Sequence, residues 1–418
     1  MSPVARKPGP FRILMCTTST IVHPGQSTYA KEFCKRGCEV LHVNFHNIPK
    51  DREAHIRDVA KYRENMNDYP TFTLVPCEMK EFAAPRKRFY HRFQPPARLT
   101  DEAEEAIAKF QPDVIYAYDL WAVGMAYHIR IAPRLLYFSD PDFQVRWYHS
   151  KYAIQEDWRN ILRLPVWLMR CYRYMQYYRL VCTGERSVFV LAKHAINVLA
   201  KIGIQARYLP YTWPVAERKL DCNAVVKADK PTFMFYGGLG ALGSRSALHL
   251  LLEKIYPLLV KLWGAGGFRV YICGKLQLPD WAAKLVEGKA EIEYLGFVDD
   301  LSLVMEQCHA AIFPVDVPVG NRIRVLSAMN AGILIIAHAM MGRLNASLVD
   351  GETCYLAETP EEFVQKMKCA VEHPEEAPRL RMNARKEYDE NYSPAGGGGA
   401  MYRRLLEAAG WNPNGTPP

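Results

Sequence analysis

Residues 311–356, AIFPVDVPVGNRIRVLSAMNAGILIIAHAMMGRLNASLVDGETCYL with the final Leu356, decide the fold. A short apolar run ends at Pro314, a Pro/Gly loop follows, and helical periodicity runs from about Arg322 until Gly332 stops it. A second apolar run, Ile333 to Ala337, predicts a strand. Strand, glycine loop, helix and strand make a βαβ unit whose loop presents the first turn of a helix. Arg322 and Arg324 sit in that turn. Unpaired backbone N–H groups, the positive end of the helix dipole and two guanidinium groups converge there, which suits a diphosphate. The plain alternative is two solvated arginines on a helix face.

Upstream, PTFMFYGGLGALGSRSALHLLLEKIYPLLVKLW opens the same pattern: a strand ending in Gly237 and Gly238, then Gly240, Ser244 as N-cap, and a long amphipathic helix. FRVYICGK and IEYLGFVDDLSLVMEQCHAAIFP continue it, and PEEFVQKMKCAVEH follows Asp350-Gly351 as a helix. LRMNARKEYDENYSP comes next. Four glycines at 396–399 interrupt the chain before AMYRRLLEAAGW, and NPNGTPP reads as a disordered tail.

The first half alternates in the same way. FRILMC is a strand, TTSTIVHPGQ a loop, Ser27 to Arg36 a helix stopped by Gly37, and EVLHVNF a strand: a Rossmann-like opening. From Pro49 to Pro96 the pattern breaks down, and Lys80, Arg86, Lys87, Arg88, His91 and Arg92 interleave with Phe82, Phe89, Tyr90 and Phe93. It resumes with a helix at about Asp101 to Phe110, a strand ending at Tyr118-Asp119 and another ending at Ser139-Asp140-Pro141-Asp142. Strand ends face the ligand crevice of a parallel sheet, so Asp119 and Asp140 are site candidates, with helix capping as the alternative. Asp140-Pro141-Asp142 also spells a D-x-D metal motif, too short to carry weight. WRNILRLPVWLMRCYRYMQYYRL is split by Pro165, LVCTGERS reads as a strand entering a helix, and RYLPYTWPV as the last strand before a polar boundary at Leu220 to Pro231.

The order P…G-N-R-I-R-V-L-S-A-M-N-A-G, an apolar strand, then V-D-G-E-T resembles the donor-site signature of the family 4 glycosyltransferases, retaining enzymes of the GT-B fold. Gly320, Arg322, Arg324, Leu326, Ala328, Met329 and Gly332 match. Ser327 stands where the family carries Glu, Pro318 where its subgroup often carries a first Gly, and Tyr118 where it carries His. The resemblance implies an α/β protein of two Rossmann-like domains facing each other across a cleft, with a C-terminal helix crossing back to the first. It divides the chain into a disordered 1–10, an acceptor domain 11–219, a linker 220–230, a donor domain 231–393, a crossing helix 394–411 and a disordered 412–418. It implies catalytic roles for Arg322, Arg324, Asp119 and Asp140, and donor contacts from Gly25, Gly237, Gly238, Gly240, Arg245, Lys275, Phe297, Val298, Gly320, Asn321 and Ser327. Most apolar residues of 158–180 would pack beneath the sheet, with arginines snorkelling to a surface.

At 418 residues, with 49% hydrophobic and 23% charged residues, the chain has the composition of a folded protein of two domains. No apolar run reaches the roughly 18 residues of a membrane span, and the first residues carry no secretory h-region, which predicts a cytoplasmic protein. Eleven scattered cysteines read as buried thiols, and neither Cys34 with Cys38 nor His42 with His46 has partners for a metal site. A net charge of +9 calls for an anionic partner. No nucleic-acid module appears. The resemblance implies transfer of a sugar, retaining its configuration, from a UDP- or GDP-type sugar to a glycan, lipid-linked or small-molecule acceptor in glycoconjugate synthesis. Metal and cofactor are not required, and the basic aromatic segment Lys80 to Phe93 would touch an anionic membrane at its inner face. The alternative is a non-catalytic relative serving as a partner subunit, which Tyr118 and Ser327 favour.

Overall fold

The computed structural model describes residues 9–18, 24–46, 52–78, 99–226, 228–274, 277–319, 323–412 and 415–416. Residues 1–214 with 393–418 form one compact unit, and 215–392 form the other.

In the first unit β1 (Arg12–Thr18), β2 (Glu39–His46), β3 (Phe72–Glu78), β4 (Val114–Tyr118), β5 (Arg134–Phe138), β6 (Ser187–Val190) and β7 (Arg207–Tyr208) pair in parallel in the order β3-β2-β1-β4-β5-β6-β7. Alternate residues serve opposite faces, so these strands are apolar throughout. Leu14, Leu41, Ile115 and Leu136 pack on one face with Ile107, Tyr174 and Leu199. Ile13, Val40, Val114 and Leu135 pack on the other with Tyr29, Phe33, Met401 and Leu405.

The second unit repeats the scheme. β8 (Thr232–Tyr236), β9 (Arg269–Cys273), β10 (Ile292–Gly296), β11 (Ala310–Phe313), β12 (Ile335–His338) and β13 (Tyr355–Ala357) form a parallel sheet in the order β10-β9-β8-β11-β12-β13. The deciding stretch folds as read, with a strand, the helix Ile323–Ala331 and a strand. Gly332 ends that helix at a φ of +84°. Leu220 and Ala224, in the stretch expected as linker, are tied to the second unit through Leu220 N to Ala331 O (2.9 Å) and Arg381 Nη1 to Ala224 O (2.9 Å).

Several expectations are corrected. The region read as patternless from Pro49 contains the helix Arg52–Glu64 and β3. Among the described side chains of that helix Val59 and Tyr62 alone are buried, so its periodicity is faint, and Pro76 is tolerated because β3 is an edge strand. Leu180 to Cys182 form the last turn of the helix Leu164–Cys182 rather than a strand, and Pro165 starts that helix instead of splitting it. The apolar residues of 158–180 are not mostly core: Trp158, Ile161, Leu162, Val166, Leu168, Met169 and Tyr172 are exposed. The first helix begins at Pro24, so Gly25 lies in its first turn and not in a loop. The glycines at 396–399 do not interrupt the chain; they lie in helical turns that run into Gly399–Ala409. A Cβ on Gly398 would meet Glu32 Cγ at 2.8 Å, so their small size serves close packing on the first helix. In the tail read as disordered, Asn412 N donates to Thr416 O at 3.0 Å.

Candidate functional site

The second sheet reverses its strand order between β8 and β11, and ligands of doubly wound sheets bind at the carboxyl ends of strands flanking such a point. β8 is followed by Gly237, whose N–H donates to Cys273 O at 3.0 Å and whose φ is +128°, a conformation L side chains resist. A Cβ here would also stand 3.0 Å from Arg324 Cζ and Nη2. The glycine lets the turn lie against the guanidinium.

Arg324, in the first turn of Ile323–Ala331 after β11, is only 5% exposed. Its Cζ lies 5.2 Å from the centroid of the Phe235 ring, and Tyr236 OH donates to its carbonyl at 2.6 Å. Nη2 donates to Ser244 Oγ at 2.7 Å, and that hydroxyl donates to Gly238 O at 2.7 Å. Nε and Nη1 are buried and have no hydrogen-bond partner among the described residues. Burial draws the guanidinium pKa down to about 10 against a weaker upward pull from Tyr236. A buried cation with donors left over on Nε and Nη1 is costly alone and suits the oxygens of an anion such as a phosphate.

Ser244 is thus not the N-cap the sequence suggested. The helix Leu242–His249 starts earlier, with Ala241 as its cap, which turns the Ser244 hydroxyl inward to orient Arg324. Ser244 and Arg324 lie 80 positions apart, and no local signal joins them. Gly238 and Gly240 are exposed on the turn. The Arg245 guanidinium lies 5.2 Å over the Trp281 ring, which stacks on His249 at 6.0 Å. After β10, Phe297 is 61% exposed and Val298 half-buried. Ser327 Oγ is bonded to Ile323 O, one turn back, at 3.3 Å. Lys275, Gly320, Asn321 and Arg322 lie outside the described residues.

The first sheet reverses between β1 and β4, and Asp119 follows β4 directly. Its φ is +74°, rare for a non-glycine residue and a store of strain. Its N–H donates to Tyr137 O at 2.9 Å, and its carboxylate accepts from Leu120 N at 2.8 Å, so the capping role is present. Burial raises its pKa, opposed by the bonds from Leu120 N–H and the Ser139 hydroxyl. The D-x-D divides: Asp140 Oδ1 faces His194 Nε2 at 3.5 Å, while Asp142 accepts from Tyr178 OH at 3.1 Å. Burial, then the charge of Asp119, pushes the Asp142 pKa up to about 7. Among the described residues no three His, Cys, Asp or Glu side chains gather as a metal site.

A cluster of tyrosines fills this end of the sheet. Tyr118 packs on Tyr137 and Tyr211, with ring centroids 5.7 Å away in each case. Gln26, next to Gly25, accepts from Tyr116 OH at 3.1 Å and donates to Tyr211 OH at 3.3 Å. A Cβ on Gly25 would lie 2.3 Å from Tyr211 Cε1, so packing accounts for that glycine. His42 is buried between Thr17 Oγ1 (2.8 Å) and Tyr62 OH (3.1 Å), and burial lowers its pKa to about 3. All eleven cysteines are free, and all but Cys369 are buried, as read.

Residues 230–373 match the family described as Glycosyl transferases group 1. No curated protein matches the chain by sequence. Among solved structures, a glycosyltransferase from Rickettsia africae is similar over 96% of this chain and 98% of its own, at 13% identity and a TM-score of 0.63. A sucrose-phosphate synthase from Thermosynechococcus elongatus covers 95% and 100%, at 13% identity and a TM-score of 0.64. Anabaena HepE, solved with UDP and glucose, covers 94% and 99%, at 10% identity and a TM-score of 0.59. Two parallel α/β units over this span define a GT-B fold. The resemblance read from the sequence holds as a likeness: residues 230–373, within the second unit, are similar to the group 1 glycosyl transferases.

Proposed function

We propose that the chain is a glycosyltransferase that takes a sugar from a nucleoside diphosphate sugar, of UDP or GDP type, and passes it with retained configuration to a glycan, lipid-linked or small-molecule acceptor. The observation that carries this reading is Arg324, buried at the strand-order reversal with Nε and Nη1 unused. Departure of the diphosphate develops negative charge, and a cation already oriented by Ser244 stabilises it without reorganisation. Arg322, two residues earlier in sequence, adds a second charge. The group 1 match supports the donor class, as does the UDP-bound state of HepE. Because the neutralising cations belong to the protein, transfer proceeds without a divalent metal. Asp119 and Asp140, at strand ends of the first unit, are assigned to the sugar or the acceptor.

One observation favours the second reading, a non-catalytic subunit. Tyr118, in the family's His position, is packed into the tyrosine cluster. A thermal-shift screen of UDP, GDP, ADP and their sugars against the wild type and Arg324→Met tests the site, since a ligand of the native state raises its melting temperature. A shift in the wild type alone is expected, followed by chelator-resistant transfer with the anomer read by NMR. A shift of equal size in both proteins sinks the Arg324 assignment, and binding without transfer to any acceptor leaves the subunit reading.

A further inference from the structure

The helical hairpin 142–182 of the first unit leaves its apolar outer side uncovered. Trp158 is 72% exposed, Leu162 82% and Leu168 49%, with Ile161, Val166 and Met169 exposed around them. Elsewhere among the described residues the exposed large apolar side chains are scattered along the sequence. So many exposed apolar side chains within twelve residues of one hairpin mark an interaction surface.

Two features say what covers it. From Trp158 to Gly184 the chain carries Arg159, Arg163, Arg170, Arg173 and Arg179 and no acidic residue; Glu156 and Asp157 immediately precede it. Beside the patch, a cavity of about 150 Å³ lies between the helices Asp142–Glu156 and Leu164–Cys182, lined by Arg146, His149, Ser150, Trp167 and Arg170. The Arg146 guanidinium lies 4.5 Å over the Tyr174 ring, and its Nε is buried without a hydrogen-bond partner among the described residues. Apolar side chains ringed by arginines, next to a phosphate-sized basic pocket, match the layering of an anionic bilayer: hydrocarbon boundary, then headgroup phosphate. A second copy of the chain fits less well, because a two-fold contact would set like-charged arginines against each other.

We propose that this hairpin docks on an anionic lipid surface, with Trp158, Leu162 and their neighbours entering the interface and a headgroup phosphate held by Arg146, His149 and Arg170. The proposal does not rest on the donor site. It also differs from the expected contact at Lys80 to Phe93, which lies outside the described residues.

The test is sedimentation of the full chain with vesicles of phosphatidylcholine alone and of phosphatidylcholine mixed with phosphatidylglycerol. The wild type should partition to the mixed vesicles, weakening with salt. Leu162→Asp should reduce partition roughly ten-fold, and Arg146→Gln with Arg170→Gln roughly twenty-five-fold, at about five-fold for each basic contact. Both variants should keep the wild-type melting temperature; if Leu162→Asp does not fold, Leu162→Ser replaces it. No partition of the wild type, equal partition to both vesicles, or partition unchanged in the folded variants would each overturn the proposal. A dimer by light scattering that Leu162→Asp dissociates, with no vesicle binding, would assign the face to a second copy instead.

Discussion

The two sheets reverse their strand order in the same way, yet the ends of the strands there carry opposite chemistry. In the second unit the reversal holds a buried cation with donors to spare, against a glycine turn with no side chain in the way. In the first it holds carboxyl groups whose pKa values are raised by burial, beside tyrosines whose hydroxyls bond to Gln26 and to backbone carbonyls. Topology therefore supplies the place, and side chains decide what it can accept. Even the glycines differ in purpose: Gly237 yields room to Arg324, Gly25 to Tyr211.

The sharpest way to break this contrast is Arg324→Met. Nucleoside diphosphate binding should weaken by roughly 3 kcal/mol in calorimetry, while the melting temperature of the free protein does not fall, because an uncompensated buried charge has been removed. Next comes the pH response of the first unit. The folded pKa of Asp142, about 7, lies above its ordinary 3.8, so the folded state keeps a proton that the unfolded chain releases. Its contribution to stability is full below pH 3.8 and is lost as pH rises through about 7. The melting temperature should fall across that window, and Asp142→Asn should flatten the fall; an unchanged slope refutes the assignment. Gly237→Ala should cost about 1 to 2 kcal/mol in chemical denaturation, through strain at positive φ and pressure on Arg324. The smallest effect concerns Ser327. Its hydroxyl is tied to Ile323 O, so Ser327→Glu should add a ribose contact and tighten nucleoside diphosphate binding by about 1 kcal/mol in calorimetry.

Legibility followed the range of the interactions. The unit around Arg324 could be read because Pro314, the glycine loop and Gly332 punctuate it locally, and the helix Asp101–Phe110 because Thr100 caps an acidic first turn. β3 escaped notice because an edge strand tolerates Pro76 and a broken pattern. The outer side of 158–180 was misread for a physical reason too: apolar composition reports a need for burial and says nothing of whether the protein itself supplies the cover. Ser244 acquired its role only when a turn brought it to Arg324, a contact that no spacing encodes.

The first unit is discontinuous: its core includes Met401, Leu405 and Leu406, and Phe11 at the foot of β1 packs against Trp411 at 4.6 Å between ring centroids. During synthesis the early strands emerge first but wait for this last segment, while the continuous unit 215–392 has all its strands to hand beforehand. The second unit can thus complete its sheet first, while the apolar strands of the first lack part of their cover until the segment with Met401, Leu405 and Leu406 is made.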